Sequence, residues 1–280
     1  MMTIIKPAKA PVHDLNPAIP LNPRKLDPAA TFGAIVQWVH DQSLREKAPG
    51  LVMGISGTDS ILTYLACAKA FERMGKPGRV LGVHFSGGAE KSRWVVNDVF
   101  PWLQSQAPGA ALEVDEAADG GDDQIRWGRL FSRAVRDTGK AASLASNYYF
   151  TVGTRNATEE HLGTYSQLSS AVSMMPIIDL FKSEVLDVCA WLGAPDIAMR
   201  KSCEIDCDCG RFQVAADYLR EVDLIVMQRK GLLSRSYIEQ NIPPDVRATV
   251  LEYVMEEESR NKFRKRTPYK PAQSLVVTEE

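Results

Sequence analysis

Four short stretches of the chain carry residue types whose spacing suits phosphate or thiol chemistry. In Leu51-Val52-Met53-Gly54-Ile55-Ser56-Gly57-Thr58-Asp59-Ser60 an apolar run ends in a small polar loop, and the helical pattern Ile61, Leu62, Leu65, Ala66, Ala68 follows at once. A strand, a tight turn and a helix N-terminus in succession aim backbone N–H groups and the positive end of the helix macrodipole at one point, which makes an anion site. Ser56 and Ser60 add hydroxyl donors, Gly57 permits close backbone approach, and Asp59 is placed to hold a metal on a bound phosphate. The competing reading is a strand-to-helix turn in which the Asp or a Ser is only an N-cap. Thr151-Val152-Gly153-Thr154-Arg155-Asn156-Ala157-Thr158-Glu159 repeats the logic, with a strand end, a Gly-Thr turn and a helix. Glu159, one turn into that helix, can share a Mg²⁺ with Asp59, or is an acidic residue favoured by the helix dipole alone.

In Met175-Pro176-Ile177-Ile178-Asp179-Leu180-Phe181-Lys182-Ser183-Glu184-Val185, Asp179 reads as the N-cap of a helix that Gly193 and Pro195 end. Lys182 then stands in the first turn against the dipole's preference, which a bound phosphate explains; otherwise it is a surface lysine. Finally, Cys203, Cys207 and Cys209 lie close together with acids between them. Three thiolates so spaced can bind zinc or an iron–sulfur cluster, or carry sulfur as a persulfide, and the bland alternative is a loop with ordinary thiols.

The elements that must position these residues follow from periodicity. Phe32, Ile35, Val36 and Val39 mark an amphipathic helix over 30–43, leading into a first strand that ends at the 56–60 loop. A helix over 60–74, a strand over 79–85, a helix over 94–104, a strand over 110–114, a helix over about 124–137 and a strand over 148–153 come next. From Leu180 onward the pattern is helical, over 180–192, 212–230, 235–240 and 244–260. This alternation predicts an α/β fold, a doubly wound parallel sheet flanked by helices, with a helical C-terminal part. Ligands on such sheets sit outside the carboxyl ends of the strands, where both the 56–60 loop and the loop after Gly153 lie.

Composition excludes several classes of function. With 33 basic and 35 acidic residues the net charge is −2, which argues against nucleic acid or a membrane surface as partner. No apolar run has transmembrane length and the N-terminus lacks a signal-peptide layout, so the expected location is cytoplasmic. Five cysteines do not make a full disulfide framework, and Cys67 and Cys189 sit in apolar helical patterns as core residues. Residues 1–29 form a proline-rich arm, 30–271 the domain and 272–280 a tail, while the basic run at 260–266 reads as a solvated helix end.

Taken together, these stretches resemble the ammonia-dependent NAD synthetase family of the adenine-nucleotide alpha-hydrolase-like, or PP-loop, ATP pyrophosphatases. That family has a Ser-Gly-Gly-x-Asp-Ser loop after its first strand, a later Gly-Thr-x-x-x-x-Glu segment, and a Pro-initiated Leu-x-Lys-x-x-Val helix ending in Leu-Gly-x-Pro. Here they stand as 56–60, 153–159, 176–185 and 192–195, in the same order, and 261–271 is similar to the family's C-terminal Lys-Arg…Pro segment. The resemblance implies that Ser56, Gly57, Thr58, Ser60, Gly153, Thr154 and Lys182 bind ATP. It implies that Asp59 and Glu159 bind Mg²⁺, and that Asp59 and Lys182 serve catalysis. The implied chemistry is attack of a carboxylate on the α-phosphorus of ATP, then displacement of AMP by ammonia to leave an amide. A small-molecule carboxylic acid and ammonia are the implied partners, with a separate glutaminase as another nitrogen source and a homodimer as the assembly.

Two departures shape the expectation. Ser56-Gly57-Thr58-Asp59-Ser60 is one residue shorter than the family's loop, which removes an N–H from the cradle and shifts its register. The acceptor segment at 166–173 lacks the family's charged groups, so the acceptor acid need not be deamido-NAD. Two other functions compete: a PP-loop sulfur transferase working through Cys203, Cys207 and Cys209, and a nucleotide-binding protein without turnover.

Overall fold

A computed structural model of the chain describes residues 23–86, 93–116, 123–136, 148–203 and 213–266. Most of the proline-rich arm, the 272–280 tail, and Cys207 and Cys209 lie outside the described residues. In chain order the elements are α1 (Pro28–Arg45), β1 (Leu51–Gly54), α2 (Thr58–Arg73), β2 (Val80–Phe85), α3 (Phe100–Gln106), β3 (Ala111–Asp115), α4 (Asp123–Arg136) and β4 (Phe150–Thr151). Then follow α5 (Ala157–Leu162), α6 (Lys182–Trp191), α7 (Asp196–Ser202), α8 (Gln213–Asp217), α9 (Leu219–Arg229), α10 (Arg235–Asn241) and α11 (Pro244–Arg260).

The sheet runs β3-β2-β1-β4 with every pair parallel. Val152 adds a single parallel bridge to Met174 past the end of β4. The side chains of β1 divide between two cores. Leu51, Met53 and Ile55 face the cluster built with α1, α2 and α6, whereas Val52 joins Leu81, Val83, Leu130 and Ala134 beneath α4. Both faces are therefore covered, which is why the strand reads as an unbroken apolar run. A separate core of Leu162, Phe181, Val226, Val250 and Val254 joins α5 to the C-terminal helices α9 and α11.

Local chemistry moves several boundaries from the periodic reading. Asp27 accepts a hydrogen bond from the Ala30 N–H at 2.9 Å and, with Pro28 following, starts α1 two residues early. The helix expected over 94–104 opens as a π turn at Val95–Val99, where the Phe100 N–H reaches the Val95 carbonyl. Pro101 explains the widening, since it has no N–H to continue the α-helical ladder. α6 begins at Lys182, not beside Asp179, because the Glu184 carboxylate accepts the Phe181 N–H at 2.8 Å. That carboxylate is also gripped by the Arg24 guanidinium, whose Nε lies 2.6 Å from Oε1. The helix expected over 212–230 breaks at Tyr218 into α8 and α9, and α7 is an element that periodicity missed.

The basic C-terminal run is no solvated helix end. Arg264 donates to the carbonyls of Tyr165 at 2.8 Å and Gly163 at 3.2 Å, and Lys265 donates to the His161 carbonyl. Cations thereby satisfy orphan carbonyls where α5 ends, the arrangement a helix C-terminus favours.

Candidate active site

Past β1 the chain has almost no loop. The Ile55 N–H still pairs with the Val83 carbonyl at 2.8 Å, and Ser56 and Gly57 alone separate it from α2, with Gly57 as N-cap. Thr58, Asp59 and Ser60 accordingly form the first helical turn, two residues ahead of the sequence expectation. The Ser60 hydroxyl accepts the N–H groups of Ser56 at 2.8 Å and Gly57 at 3.1 Å, and donates to the Gly57 carbonyl at 2.7 Å. Two amides of the expected anion cradle are thus held by a side chain of the same turn.

The second half of the site comes from β4. Gly153 donates its N–H to the Met174 carbonyl at 2.9 Å, and a Cβ there would lie 2.9 Å from Val172 Cγ2 and 3.2 Å from Met175 Cγ. Gly153→Ala is therefore expected to cost about 1–3 kcal/mol through overpacking, read as a lower urea midpoint. An unchanged midpoint would remove close packing as the reason for this glycine. Asn156 caps α5: its side chain accepts the Glu159 N–H at 2.9 Å, and the Glu159 carboxylate accepts the Asn156 N–H at 3.3 Å. The Asn156 side-chain amide also donates to Asp59 Oδ1 at 2.8 Å, which ties the two strand exits together.

α6 supplies the charge. Lys182 is only 7% exposed, and its ammonium donates to Asp59 Oδ2 and to the Thr58 hydroxyl at 3.0 Å. A lysine so buried needs a paired anion, and Asp59, itself 9% exposed, provides it. Thr58 is in turn hydrogen-bonded to the Ser202 hydroxyl at 2.8 Å, so α7 braces the pair from the far side.

The start of α6 is held by a buried acid on α9. Asp223 accepts the Ser183 N–H at 2.6 Å and the Thr158 hydroxyl at 2.5 Å, and Thr158 accepts the Lys182 N–H at 3.0 Å. Burial pushes the Asp223 carboxyl up to about 6, against the lowering effect of those hydrogen bonds. A folded-state value raised above the ordinary 3.8 gives stability that is full below 3.8 and lost as pH rises towards 6. The displacement, at about 1.36 kcal/mol per pH unit, makes roughly 3 kcal/mol. The stability of the protein relative to Asp223→Asn, neutral at every pH, should fall by about that amount between pH 4 and 7. Parallel stability curves for the two proteins would contradict the assignment.

These groups open onto a cleft of about 440 Å³ at the carboxyl ends of β1, β2 and β4. Of the residues expected from sequence, Ser56, Gly57, Asp59, Ser60, Thr154, Glu159 and Lys182 line it. Thr58, fully buried, and Gly153 stand behind the wall and position their neighbours. Cys203 is buried beside a second cavity of about 60 Å³ that Asn156, Glu159 and Lys182 also border. The cleft further contains His84, Trp94, Arg126, Trp127, Lys201 and Ser202, none of which the sequence reading singled out.

Among the described residues no group of three or more His, Cys, Asp and Glu side chains is placed to hold a metal. Asp59 and Glu159 nevertheless fit Mg²⁺ in donor type: two carboxylates line one cleft and are bridged by Asn156. A hard cation bound through one or two carboxylates completes its shell with water and phosphate oxygens. Among the described residues no helix is long and apolar enough to cross a membrane.

Comparison with known proteins gives a consistent result. The family model described as NAD synthase matches residues 31–268. The chain is 25% identical over 181 residues to the NH(3)-dependent NAD(+) synthetase of Thermococcus sibiricus, covering 64% of this chain and 71% of that one. It is also 25% identical over 264 residues to the protein of the same name from Methanosarcina mazei, covering 85% and 95%. Among solved structures, the NMN synthetase from Francisella tularensis superposes with a TM-score of 0.61 at 16% identity, over 89% of this chain and all of the other. The NH3-dependent NAD synthetase from Campylobacter jejuni gives 0.58 at 15% identity, over 88% and 99%. These last two likenesses show the shared fold.

Proposed function

The chain belongs to the NAD synthase family of ATP-dependent ligases that form C–N bonds, and we propose that it amidates a pyridine carboxylate carried on a nucleotide. The acceptor's carboxylate attacks the α-phosphorus of ATP, giving an acyl-adenylate and pyrophosphate. Ammonia then attacks the acyl carbon, AMP leaves, and an amide and a proton remain. Neither step needs a protein nucleophile; both need two substrates held in line and phosphate charge compensated.

The observation that carries the reading is the buried Lys182–Asp59 pair at the meeting of the β1 and β4 exits. In this proposal Lys182 neutralises phosphate charge, and the first turn of α2 turns its N-terminal dipole towards the same anion. Asp59 and Glu159 hold Mg²⁺, which when bound offsets the negative charge of the triphosphate. Thr154 and the Ser56 hydroxyl orient the phosphates, and Ser60, whose hydroxyl proton goes to the Gly57 carbonyl, holds the turn that presents them.

The acceptor follows from the 166–173 segment, which lacks the charged groups of the family's acceptor loop. At 167–170 the hydroxyls of Ser169 and Ser170 accept the buried Arg155 guanidinium at 2.5 and 3.0 Å, and that guanidinium stacks on Tyr165 at 3.4 Å. These polar groups are engaged with one another, which supports an acceptor held by fewer contacts than a full dinucleotide would use. Nicotinate mononucleotide is therefore the first acceptor to test, beside deamido-NAD, with free ammonium as nitrogen source and a homodimer as the working assembly. Pyrophosphate release is measured with ATP, Mg²⁺, ammonium and each acid. Faster turnover of the mononucleotide is expected; release with neither acid would sink the proposal.

A further inference from the structure

A single guanidinium ahead of α1 touches the chain on both sides of Lys182. Arg24 Nε donates to Glu184 Oε1 at 2.6 Å, and its Nη2 donates to the other oxygen of that carboxylate. The same Nη2 donates to the Asp179 carbonyl at 3.0 Å. The guanidinium carbon also lies 5.0 Å from the centroid of the Phe181 ring. One planar fork therefore holds Asp179, Phe181 and Glu184, which bracket Lys182 in sequence. The family match begins at residue 31, so Arg24 stands ahead of the part of the chain it covers.

That grip matters because Lys182 does not hold its place unaided. A cation in the first turn of a helix stands against the macrodipole, so its position is imposed by neighbours. Three contacts impose it. Thr158 of α5 accepts the Lys182 N–H, Asp223 of α9 accepts the Ser183 N–H, and the Glu184 carboxylate accepts the Phe181 N–H. The third depends on Arg24. Glu184 is 1% exposed, and a carboxylate so far from water stays charged only beside a cation, which Arg24 supplies. Resting on the reading of Lys182 as the cation that meets phosphate, we infer that Arg24 is a positioning residue for the reaction. It fixes the first turn of α6, so that the Lys182 ammonium is already in place when phosphate charge develops.

Steady-state pyrophosphate release by the full-length protein tests this, with near-UV circular dichroism to show that each variant is folded. Arg24→Gln is expected to lower kcat by about 10- to 100-fold, with the KM for ATP within about threefold of wild type. Arg24→Lys keeps Glu184 paired, which guards against simple misfolding, but it loses the fork; kcat should still fall at least about threefold. In a Lys182→Ala background, Arg24→Gln should change the residual rate by less than about twofold, because the group it positions is gone. Wild-type kcat in a folded Arg24→Gln or Arg24→Lys overturns the assignment. So does a loss confined to KM, or a full-sized further loss in the Lys182→Ala background. If Lys182→Ala itself keeps the wild-type rate, the reading of Lys182 fails and takes this assignment with it; an impaired Lys182→Ala beside unimpaired Arg24 variants sinks this assignment alone.

Discussion

Lys182→Ala is expected to lower ATP-dependent pyrophosphate release by about 10²- to 10³-fold and to destabilise the fold by about 3–5 kcal/mol. The two losses have one origin. The ammonium is buried against Asp59 and the Thr58 hydroxyl, so its removal leaves a carboxylate out of water without its counter-cation. The same deletion removes the cation proposed to meet the phosphates. Lys182→Arg should rescue little, since a planar fork does not replace a compact point charge in a space bounded by Thr58 and Asp59. Steady-state pyrophosphate release and urea denaturation read the two effects separately. An alanine variant that keeps more than a tenth of the wild-type rate would remove Lys182 from the chemistry.

Asp59→Asn should bring a comparable loss of turnover, about 10²- to 10³-fold, with a distinct signature. It keeps the side-chain shape and removes one of the two carboxylates proposed for Mg²⁺, so the Mg²⁺ needed for half-maximal rate should rise. Neither change is additive in stability. Asp59→Asn alone strands a buried ammonium, and Lys182→Met alone strands a buried carboxylate, whereas the double variant strands neither. Denaturation midpoints should therefore place the double variant above at least one single variant. If the double variant loses the sum of the two, the pair is not the coupled unit that the geometry implies.

The parallel sheet and the two strand exits were legible in the sequence because each depends on local signals: an apolar run, a small-residue turn, then a 3.6-residue period. Asp59, Glu159 and Lys182 could be named for the same reason, and all three line the same cleft. Asp179 misled because a good capping residue lay nearby, while the helix was started by Glu184 reaching back to Phe181. His84, Asn156, Ser202 and Trp127 were invisible. Each is an ordinary residue of its own element and gains meaning only from a partner far away in the chain, as when Asn156 meets Asp59 across 97 positions. The π turn before Pro101 and the break at Tyr218 were missed because periodicity counts faces of a helix and not the donors that a proline removes.

The two strand exits also differ in how firmly the sheet anchors them. Among the described residues, β1 is flanked on both sides, by four residue pairs to β2 and two to β4, while β4 has those two pairs and a bridge from Val152 to Met174. In hydrogen-exchange language, the amides of Val52 and Met53 are expected in the slowest, globally protected class. Those of Val152 and Gly153 can be released by a smaller opening at the sheet's margin. The cleft thus joins a wall that moves only with the whole domain to a wall with an excursion of its own. Asn156, donating from the second wall to Asp59 on the first, is the bond such an excursion must break.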